Sequence, residues 1–349
     1  MYASVVIASY NRPEPIRRLL EQLGRQDLPP SSFEVCVVDD GSRVVLRPFV
    51  KCSAYPYALR IFEQENRGAA AARHRGAVES RGRILLFVDD DMQVGTEFVR
   101  QHLAYHQQGP AVVLGRIAAA PGLERMPLFE RWHQHLLDRL ARDFISGRKK
   151  PSGAHLFSGN VSLPREAYFA AGGFDSSLEQ AEDTELGFRL ERLGMPFRFA
   201  AEAISLHCSD HASLKKWRQR ARRYGRCDRR IARAHPEVLA ASPWSPLFEL
   251  NPLARPAVGL ALLSPRVGRA LASGGMSVAA LVDWLGLTAL AYAGVTVVYM
   301  NEYFSAIRES LPLSRALREI WAHRATRLKW RREPRASAEP GAMQAAPSS

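Results

Sequence analysis

Residues 83–91 read Arg-Ile-Leu-Leu-Phe-Val-Asp-Asp-Asp, and this stretch decides the predicted fold. A short, continuous apolar run is typical of a strand buried on both faces, as in parallel sheets covered by helices. Residues 33–40, Phe-Glu-Val-Cys-Val-Val-Asp-Asp, repeat the pattern of an apolar strand that ends in carboxylates. Because ligands of open α/β sheets bind beyond the carboxyl ends of the strands, the two acidic ends indicate a functional site.

The segments around these strands alternate between strand and helix patterns. Residues 4–8 form another apolar run, and the apolar residues at 16, 19, 20 and 23 have the spacing of one helix face. Further helices are expected over residues 68–79, 128–144, 165–171 and 182–193. The sequence therefore predicts an α/β fold with a mostly parallel, Rossmann-like central sheet and helices on both faces.

The net charge of +13 is concentrated in two C-terminal segments. Residues 215–235 contain ten Lys or Arg against one Asp, and residues 308–335 contain nine against three Glu. Basic segments bind nucleic acid, anionic lipid or phosphorylated ligands, so charge alone leaves these partner classes open. The four cysteines have no C-x-x-C spacing, which indicates neither a disulfide framework nor a zinc ribbon. With no signal-peptide pattern in the first residues, we expect a reduced, cytoplasmic protein.

Asp89, Asp90 and Asp91 are candidates to bind a divalent cation. Adjacent carboxylates repel one another unless a cation or hydrogen-bond donors neutralise them. Mg²⁺ and Mn²⁺ prefer oxygen ligands and commonly bridge one or two carboxylates to substrate phosphates. The alternative is an acidic surface turn that binds no ligand.

Taken in order, these segments resemble family 2 (GT2) of the inverting glycosyltransferases. The resemblance extends over about residues 3–235 and keeps the order and rough spacing of the family's motifs. The matching segments are 8–11, 37–42, 66–68 with Arg73, 88–91, 159–160, 172–175 and 181–185. The resemblance implies a GT-A fold, followed here by a C-terminal helical appendage. It also implies a nucleoside-diphosphate-sugar donor, with UDP favoured, and a hydroxyl acceptor on a saccharide or lipid-linked saccharide of cell-surface glycan synthesis.

The resemblance further implies a role for each matching residue. The implied nucleotide-sugar-binding residues are Ala8, Tyr10, Asn11, Asp40, Arg73, Asp89, Asp90, Gly159 and Arg222. The implied ligands of a divalent cation, Mn²⁺ or Mg²⁺, are Asp91, Asp89 and His207. Asp183 matches the general base, with Glu182 beside it. The cation stabilises the departing nucleoside diphosphate while the base takes the acceptor proton, so a single displacement inverts the anomeric centre.

Several of these residues also have a structural interpretation. Glu182 and Asp183 fit the first turn of a helix, where the macrodipole favours acids. His207, after an apolar strand, fits a packing position. The basic segment 214–225 fits a solvated helix face, and it lies where processive synthases of the family carry Q-x-x-R-W. Because Arg223 stands at the tryptophan position, we expect non-processive transfer.

We expect three regions: a catalytic domain over 1–235, an apolar and basic helical region over 236–335, and a disordered tail over 336–349. Residues 284–300 carry no charge and reach the short limit for a membrane span. Three arrangements remain open. The region spans the membrane, or lies on anionic lipid at the inner face of the cytoplasmic membrane through 308–335, or packs on the catalytic domain.

Two other functions compete with glycosyl transfer. A sugar-nucleotide pyrophosphorylase shares the sheet, metal and nucleotide, but it should carry a Gly-rich G-x-G-x-R loop where this chain has Ser9-Tyr10-Asn11. A nucleic-acid-binding protein would use the basic segments and leave the acidic strand ends unexplained, and no helix-turn-helix, zinc or RNA-binding signature is present. We therefore expect a nucleotide sugar and a glycan or lipid-linked acceptor as partners, and no nucleic acid.

Overall fold

An eight-stranded sheet forms the centre of the computed structural model, which describes residues 2–44, 46–47, 50–209, 212–252 and 254–332. The expected disordered tail, 336–349, lies outside the described residues. The strands are β1 (Ala3–Ser9), β2 (Phe33–Asp39), β3 (Ala58–Glu63), β4 (Ile84–Val88), β5 (Met92–Val94), β6 (Val112–Ala119), β7 (Asn160–Pro164) and β8 (Phe197–His207). Their order across the sheet is β3-β2-β1-β4-β7-β6-β8-β5.

Strand direction brings the acidic strand ends to one edge of the sheet. β1 runs parallel to β2 and β4, β2 to β3, and β6 to β8. The carboxyl ends of β1, β2 and β4 therefore meet at the same edge. β7 is antiparallel to both β4 and β6, and Val88 pairs with Asn160. This reversal places the start of β7, with the preceding Gly159, directly beside the aspartates that follow β4.

Helices cover both faces of the sheet, as expected. They are α1 (Pro13–Leu23), α2 (Ala69–Glu79), α3 (Phe98–His106), α4 (Leu128–Ile145), α5 (Arg165–Ala170), α6 (Glu182–Arg192) and α7 (Leu214–Ala234). Alternate residues of β1 supply the two cores: Val5 and Ile7 pack with α1, whereas Val6 packs on the side of α2, α5 and α6. Burying one such side chain contributes about 1.5–3 kcal/mol, which explains the continuous apolar strands.

A close backbone contact holds α6 against the loop before β7. A side-chain carbon at Gly187 would lie 2.1 Å from the carbonyl oxygen of Gly153, and one at Gly153 would lie 2.4 Å from the carbonyl carbon of Gly187. Only glycine at both positions permits this approach. The contact sets the distance between the start of α6 and residues 158–160.

Five further helices follow: α8 (Ser245–Glu249), α9 (Arg255–Leu263), α10 (Pro265–Trp284), α11 (Thr288–Glu309) and α12 (Leu313–Arg332). α10 and α11 form a hairpin whose buried face joins α4 and α7 in one apolar cluster, which includes Trp132, Trp217 and Val295. The indole Nε1 of Trp132 donates to Thr296 Oγ1 at 2.9 Å. The C-terminal helices thus share a core with the sheet-covering helices, and the domain boundary near residue 235 stays a prediction.

Several arginines of α7 form hydrogen bonds with α11 or the residue after it, and these contacts contribute to the helix packing. Arg218 Nε donates to Glu302 Oε1 of α11 at 2.6 Å, and Arg222 pairs with Glu302 at 3.4 Å and with Glu309 at 2.5 Å. Arg229 Nη1 donates to Ser310 Oγ at 2.5 Å. Across the residues that the structure covers, no helix is long and apolar enough to cross a membrane.

Candidate functional site

A cleft of about 680 Å³ opens at the edge where β1, β2 and β4 end and β7 begins. Seven of the predicted site residues line it: Arg73, Asp89, Asp91, Gly159, Glu182, Asp183 and His207. These residues come from α2, the turn after β4, the start of β7, the start of α6 and the end of β8. The fold therefore gathers side chains that are up to 134 positions apart in the sequence (73 to 207) into one cleft.

Arg73 links the aspartates after β4 to the acids of α6. Its guanidinium donates to Asp89 Oδ1 at 2.6 Å and to Glu182 Oε1 at 2.8 Å, and only 8% of the residue is exposed. Burial alone would lower the pKa of Arg73, but the carboxylates of Asp89 and Glu182 outweigh burial and raise the pKa above its usual value. Arg73 therefore remains charged and can move its hydrogen bonds to an anionic ligand.

Asp183 is a half-buried carboxylate in the wall of the cleft. Burial, and then the neighbouring charge of Glu182, raise the pKa of Asp183 to about 7. Its Oδ1 accepts from the backbone N–H of Thr184 at 2.7 Å, and Oδ2 accepts from that of Ser158 at 3.4 Å. Ala181 precedes it with φ at 61°, a left-handed conformation that costs an alanine roughly 1–2 kcal/mol. A carboxylate with a pKa near neutrality is suited to exchanging a proton with a ligand.

Asp91 and His207 form the candidate cation-binding pair. His207 Nε2 lies 3.8 Å from Asp91 Oδ2, which also accepts from Arg12 at 2.6 Å. The other oxygen, Asp91 Oδ1, is buried and has no hydrogen-bond partner in the structure. An unpaired carboxylate oxygen beside an imidazole fits a divalent cation that draws further ligands from substrate phosphates.

The predicted three-ligand set is not assembled. Among the residues with described positions, no group of three or more His, Cys, Asp or Glu side chains is arranged to hold a metal ion. Two arginines hold the aspartates of this set: Arg73 pairs with Asp89 Oδ1 at 2.6 Å, and Arg12 pairs with Asp91 Oδ2 at 2.6 Å. Charge-assisted hydrogen bonds between a guanidinium and a carboxylate are short and strong, so both ion pairs compete with metal ligation.

Asp90 lies beneath the cleft surface rather than in its lining. It is 6% exposed, accepts from Ser9 Oγ at 2.6 Å and pairs with Arg12 at 3.3 Å. Burial raises the pKa of Asp90 to about 7. These contacts tie the end of β1 to the turn after β4, so Asp90 positions its neighbours in this structure and does not face the cleft.

Four of the predicted nucleotide-sugar-binding residues lie around the ends of β1 and β2: Ala8, Tyr10, Asn11 and Asp40. The carboxylate of Asp40 accepts from Gln64 Nε2 at 2.8 Å and from the backbone N–H groups of Arg67 at 2.9 Å and Gly68 at 2.8 Å. Asp40 therefore holds the loop that leads into α2. Tyr10 beside it is 46% exposed and offers a free ring face.

Asn11 and Ala8 complete this group. Asn11 has φ at 56°, its backbone N–H donates to Ser42 Oγ at 2.7 Å, and its Oδ1 accepts from Arg43 N at 2.8 Å. Ala8 pairs with Val38 in the parallel β1–β2 ladder. Asn11 is thus used to join the loops after β1 and β2, and its side chain does not cap α1.

Gly159 permits the close approach of the β7 loop to the aspartates. A side-chain carbon added here would lie 2.9 Å from Asp89 Oδ2 and 2.8 Å from Met92 Cε. Any larger residue would displace the Asp89 carboxylate from its position beside Arg73. Glycine at this position therefore allows the backbone before β7 to approach the Asp89 carboxylate closely.

The structure places Arg222 outside the cleft and brings two neighbouring arginines into it. Arg222 faces α11 and its acids, whereas Arg220 and Arg223 line the cleft with Tyr224. Residues two positions apart on a helix are rotated by about 200°, so Arg220 and Arg222 point to opposite sides. Arg220 and Arg223 are therefore the arginines of α7 that a ligand in this cleft could contact.

Sequence reasoning missed the parts played by Arg12 and Tyr224. Arg12 directly precedes α1, and its guanidinium pairs with Asp90 and Asp91. Tyr224 is half-buried, desolvation raises the pKa of its hydroxyl, and the Arg220 guanidinium lies 5.8 Å from its ring centroid. The Asn11-Arg12-Pro13 turn following an apolar strand was the available signal for Arg12. No local signal marked Tyr224, because its surroundings come from other helices.

Residues 4–169 match the family described as Glycosyl transferase family 2. Two proteins named Validoxylamine A glucosyltransferase, from Streptomyces hygroscopicus subspecies limoneus and jinggangensis, are 32% and 31% identical to the chain over 276 residues. Each alignment covers 69% of this chain and 58% or 63% of the relative, so the chain spans about three fifths of the length of these relatives.

A solved structure with a similar fold is "Mannosyltransferase PcManGT from Pyrobaculum calidifontis in complex with GDP-Man and Mn2+". Its TM-score is 0.57 at 19% identity, over 84% of this chain and 85% of the other. Residues 1–349 of TarS from S. aureus give a TM-score of 0.52 at 20% identity, over 89% and 91% of the two chains. These matches confirm the expected GT-A fold with a C-terminal helical region. By its motifs, its matching relatives and its fold, the chain belongs to glycosyl transferase family 2.

Proposed function

We propose that this family 2 glycosyltransferase moves a sugar from a nucleoside-diphosphate sugar to an acceptor hydroxyl by a single displacement with inversion. The observation that carries the proposal is the position of the Asp183 carboxylate, which lies half-buried in the cleft wall with its pKa raised to about 7. It shares the cleft with Asp91 and His207. A proton acceptor and a site for a diphosphate are the two parts that this reaction needs.

Asp183 is the proposed general base. A carboxylate whose pKa lies near the working pH is ionised often enough to accept a proton and basic enough to take it from a hydroxyl. The backbone N–H of Thr184, 2.7 Å from Oδ1, orients the carboxylate. Glu182 holds Arg73 at 2.8 Å and acts as a positioning residue for that guanidinium.

The donor diphosphate is proposed to lie between Arg73, Arg220 and Asp91. The two guanidinium groups can donate to phosphate oxygens, and both line the cleft. Asp91 and His207 would hold a divalent cation, Mn²⁺ or Mg²⁺, which supplies positive charge to the leaving diphosphate. The Mn²⁺ in the GDP-mannose complex of the similar mannosyltransferase supports this assignment.

The nucleobase is proposed to bind at Asp40 and Tyr10, with uracil favoured. The exposed ring of Tyr10 offers a stacking face, and Asp40 can accept from a base N–H if it releases one of its loop contacts. The similar mannosyltransferase binds GDP-mannose, so guanine is the principal competitor to uracil.

The experiment is a thermal-shift series with UDP, GDP, dTDP and CMP, each with and without Mn²⁺. We expect one diphosphate to stabilise the wild-type protein in a Mn²⁺-dependent manner, and Asp91→Ala to lose that dependence. Glu124→Ala, at an exposed acid outside the cleft, serves as the matched control and should behave as wild type. If no nucleotide shifts the wild-type protein, the proposed function is wrong.

For location, we propose a cytoplasmic protein that contacts the inner face of the membrane, where a lipid-linked saccharide acceptor would be found. The turn between α10 and α11 supports this proposal, since Trp284 is 80% exposed and Leu287 is 54% exposed. Vesicle flotation with anionic lipid should recover the wild-type protein, and Trp284→Ser with Leu287→Ser should reduce recovery. Leu193→Ser, at a 50% exposed leucine after α6, is the control. Equal recovery of all three proteins would contradict membrane contact through this turn.

A further inference from the structure

A second cavity of about 560 Å³ lies between α4, α7 and α11, next to the cleft. Five residues line both spaces: His133, Leu136, Phe157, Arg220 and Tyr224. The cavity is therefore adjacent to the cleft, and these five residues belong to the walls of both. Its volume falls in the range of roughly 300–1,000 Å³ that small-molecule sites occupy.

Aromatic rings from all three helices form one wall of this cavity. The ring centroid of Trp132 on α4 lies 5.8 Å from that of Trp217 on α7 and 5.3 Å from that of Tyr299 on α11. The centroids of Trp217 and Tyr299 are 5.4 Å apart. These mutual contacts fix the rings before any ligand arrives. Pre-positioned aromatic faces are suited to the C–H faces of sugar rings, because both surfaces are flat and apolar.

The polar lining of the cavity is mixed and balanced in charge. The lining includes two carboxylates, Glu130 and Glu249, and two guanidinium groups, Arg139 and Arg220. Equal numbers of acids and bases give no net attraction for a second nucleotide or another polyanion. An acyl chain would remove these charged groups from water without supplying hydrogen bonds, which is costly. A neutral ligand with many hydroxyl groups can stack its C–H faces on the aromatic rings and form hydrogen bonds with the polar groups.

We propose that this second cavity binds the acceptor, and that the acceptor is a neutral saccharide. The inference rests on the proposed function for its chemical step. The reacting hydroxyl of the saccharide extends past Arg220 and Tyr224 into the cleft. There the hydroxyl oxygen forms a bond to the anomeric carbon of the donor, its proton passes to Asp183, and the bond from that carbon to the diphosphate oxygen breaks. The nucleoside diphosphate leaves with the electron pair.

The test compares Ala293→Trp with Ala280→Trp. Both alanines are exposed on the α10–α11 hairpin, but only Ala293 lines the cavity, so its replacement fills the space. The probes are p-nitrophenyl glycosides of glucose, galactose, mannose and N-acetylglucosamine. Their binding is measured by saturation-transfer NMR without donor, and acceptor kinetics are measured with the sugar nucleotide that stabilises the protein.

We expect at least one glycoside to bind the wild-type protein and the Ala280→Trp variant equally. Ala293→Trp should weaken that binding tenfold or more and raise the acceptor KM by a similar factor. Nucleotide-induced stabilisation and slow hydrolysis of the donor in water should be unchanged in both variants, which shows that the fold and donor site are intact.

The inference is overturned if no glycoside binds the wild-type protein, or if Ala293→Trp binds as well as Ala280→Trp does. Failure of the proposed function gives a different result: no nucleotide stabilises the protein, while glycoside binding remains and depends on position 293. The two measurements therefore separate the saccharide site from the transfer reaction.

Discussion

Replacing Asp183 by asparagine is expected to stabilise the folded protein while it removes the transfer activity. Asp183 is half-buried, and its pKa is raised from 3.8 to about 7 by desolvation and by the charge of Glu182. Between these pH values the folded protein holds a proton that the unfolded chain has lost. Stability therefore falls as the pH rises through this window, and the full cost of the ionised carboxylate is present above pH 7.

The size of the effect follows from the pKa. A change from 3.8 to about 7 corresponds to roughly 4 kcal/mol of destabilisation at high pH. Asparagine abolishes this cost, but its amide group would face the N–H of either Thr184 or Ser158, and a lost hydrogen bond costs about 1 kcal/mol. We expect Asp183→Asn to raise the free energy of unfolding by about 3 kcal/mol at pH 8 and by less than 1 kcal/mol at pH 5.

The assay is urea unfolding of wild type and variant at pH 5 and pH 8, followed by tryptophan fluorescence. Glu182→Gln is the matched control, because the neighbouring Glu182 carboxylate has an arginine partner at 2.8 Å. Its removal weakens that ion pair and should lower stability by about 2 kcal/mol, the opposite sign. Transfer by Asp183→Asn should fall by about 10²–10⁴, since an amide cannot accept the proton. If Asp183→Asn is no more stable than the wild-type protein at pH 8, the ionised Asp183 carboxylate does not destabilise the fold and the reasoning is wrong.

Three other predictions concern the same structure. The wild-type kcat/KM should rise about tenfold per pH unit below pH 7 and level off above pH 8, because Asp183 ionises over this range. A pH profile that is flat from pH 5 to 8 would contradict the role of Asp183 as general base. Gly187→Ala should lower the free energy of unfolding by about 2–4 kcal/mol, because the added carbon would lie 2.1 Å from the Gly153 carbonyl oxygen. Urea unfolding measures this change, and an unchanged midpoint would show that the two backbone segments can move apart at little cost. Arg220→Gln should weaken nucleotide binding at least tenfold in calorimetry, because Arg220 lines the cleft. Arg222→Gln should leave nucleotide binding unchanged and lower the free energy of unfolding by about 1 kcal/mol, because Arg222 pairs with acids of α11. The reverse pattern would show that Arg222, and not Arg220, contacts the nucleotide.

The strand ends were the most predictable part of the site. Successive apolar strands joined by helices are expected to run parallel, so the residues after Ser9, Asp39 and Val88 had to meet at one edge. The structure confirms that arrangement. The reversed direction of β7 had no local signal, yet it is what brings Gly159 against Asp89.

The partners of the predicted cation ligands could not be predicted from the sequence. The resemblance implied that Asp89 and Asp91 bind the same cation, but Arg73 pairs with Asp89 and also with Glu182, 109 positions further along the chain from Arg73. Such a competition depends on which side chains share a buried volume. That information lies in the packing of α2 against α6, and no local pattern carries it.

By itself the sequence determined the family and most strands and helices of the first two hundred residues, because these depend on local periodicity and short motifs. It did not predict β5 or α3. Only the tertiary structure decided that Arg220 faces the cleft while Arg222 faces the acids of α11, Glu302 and Glu309. It also decided that α4, α7 and α11 enclose a second cavity. The physical reason is that both features arise where distant helices pack together, and the burial and charge of a side chain there are set by partners remote in sequence.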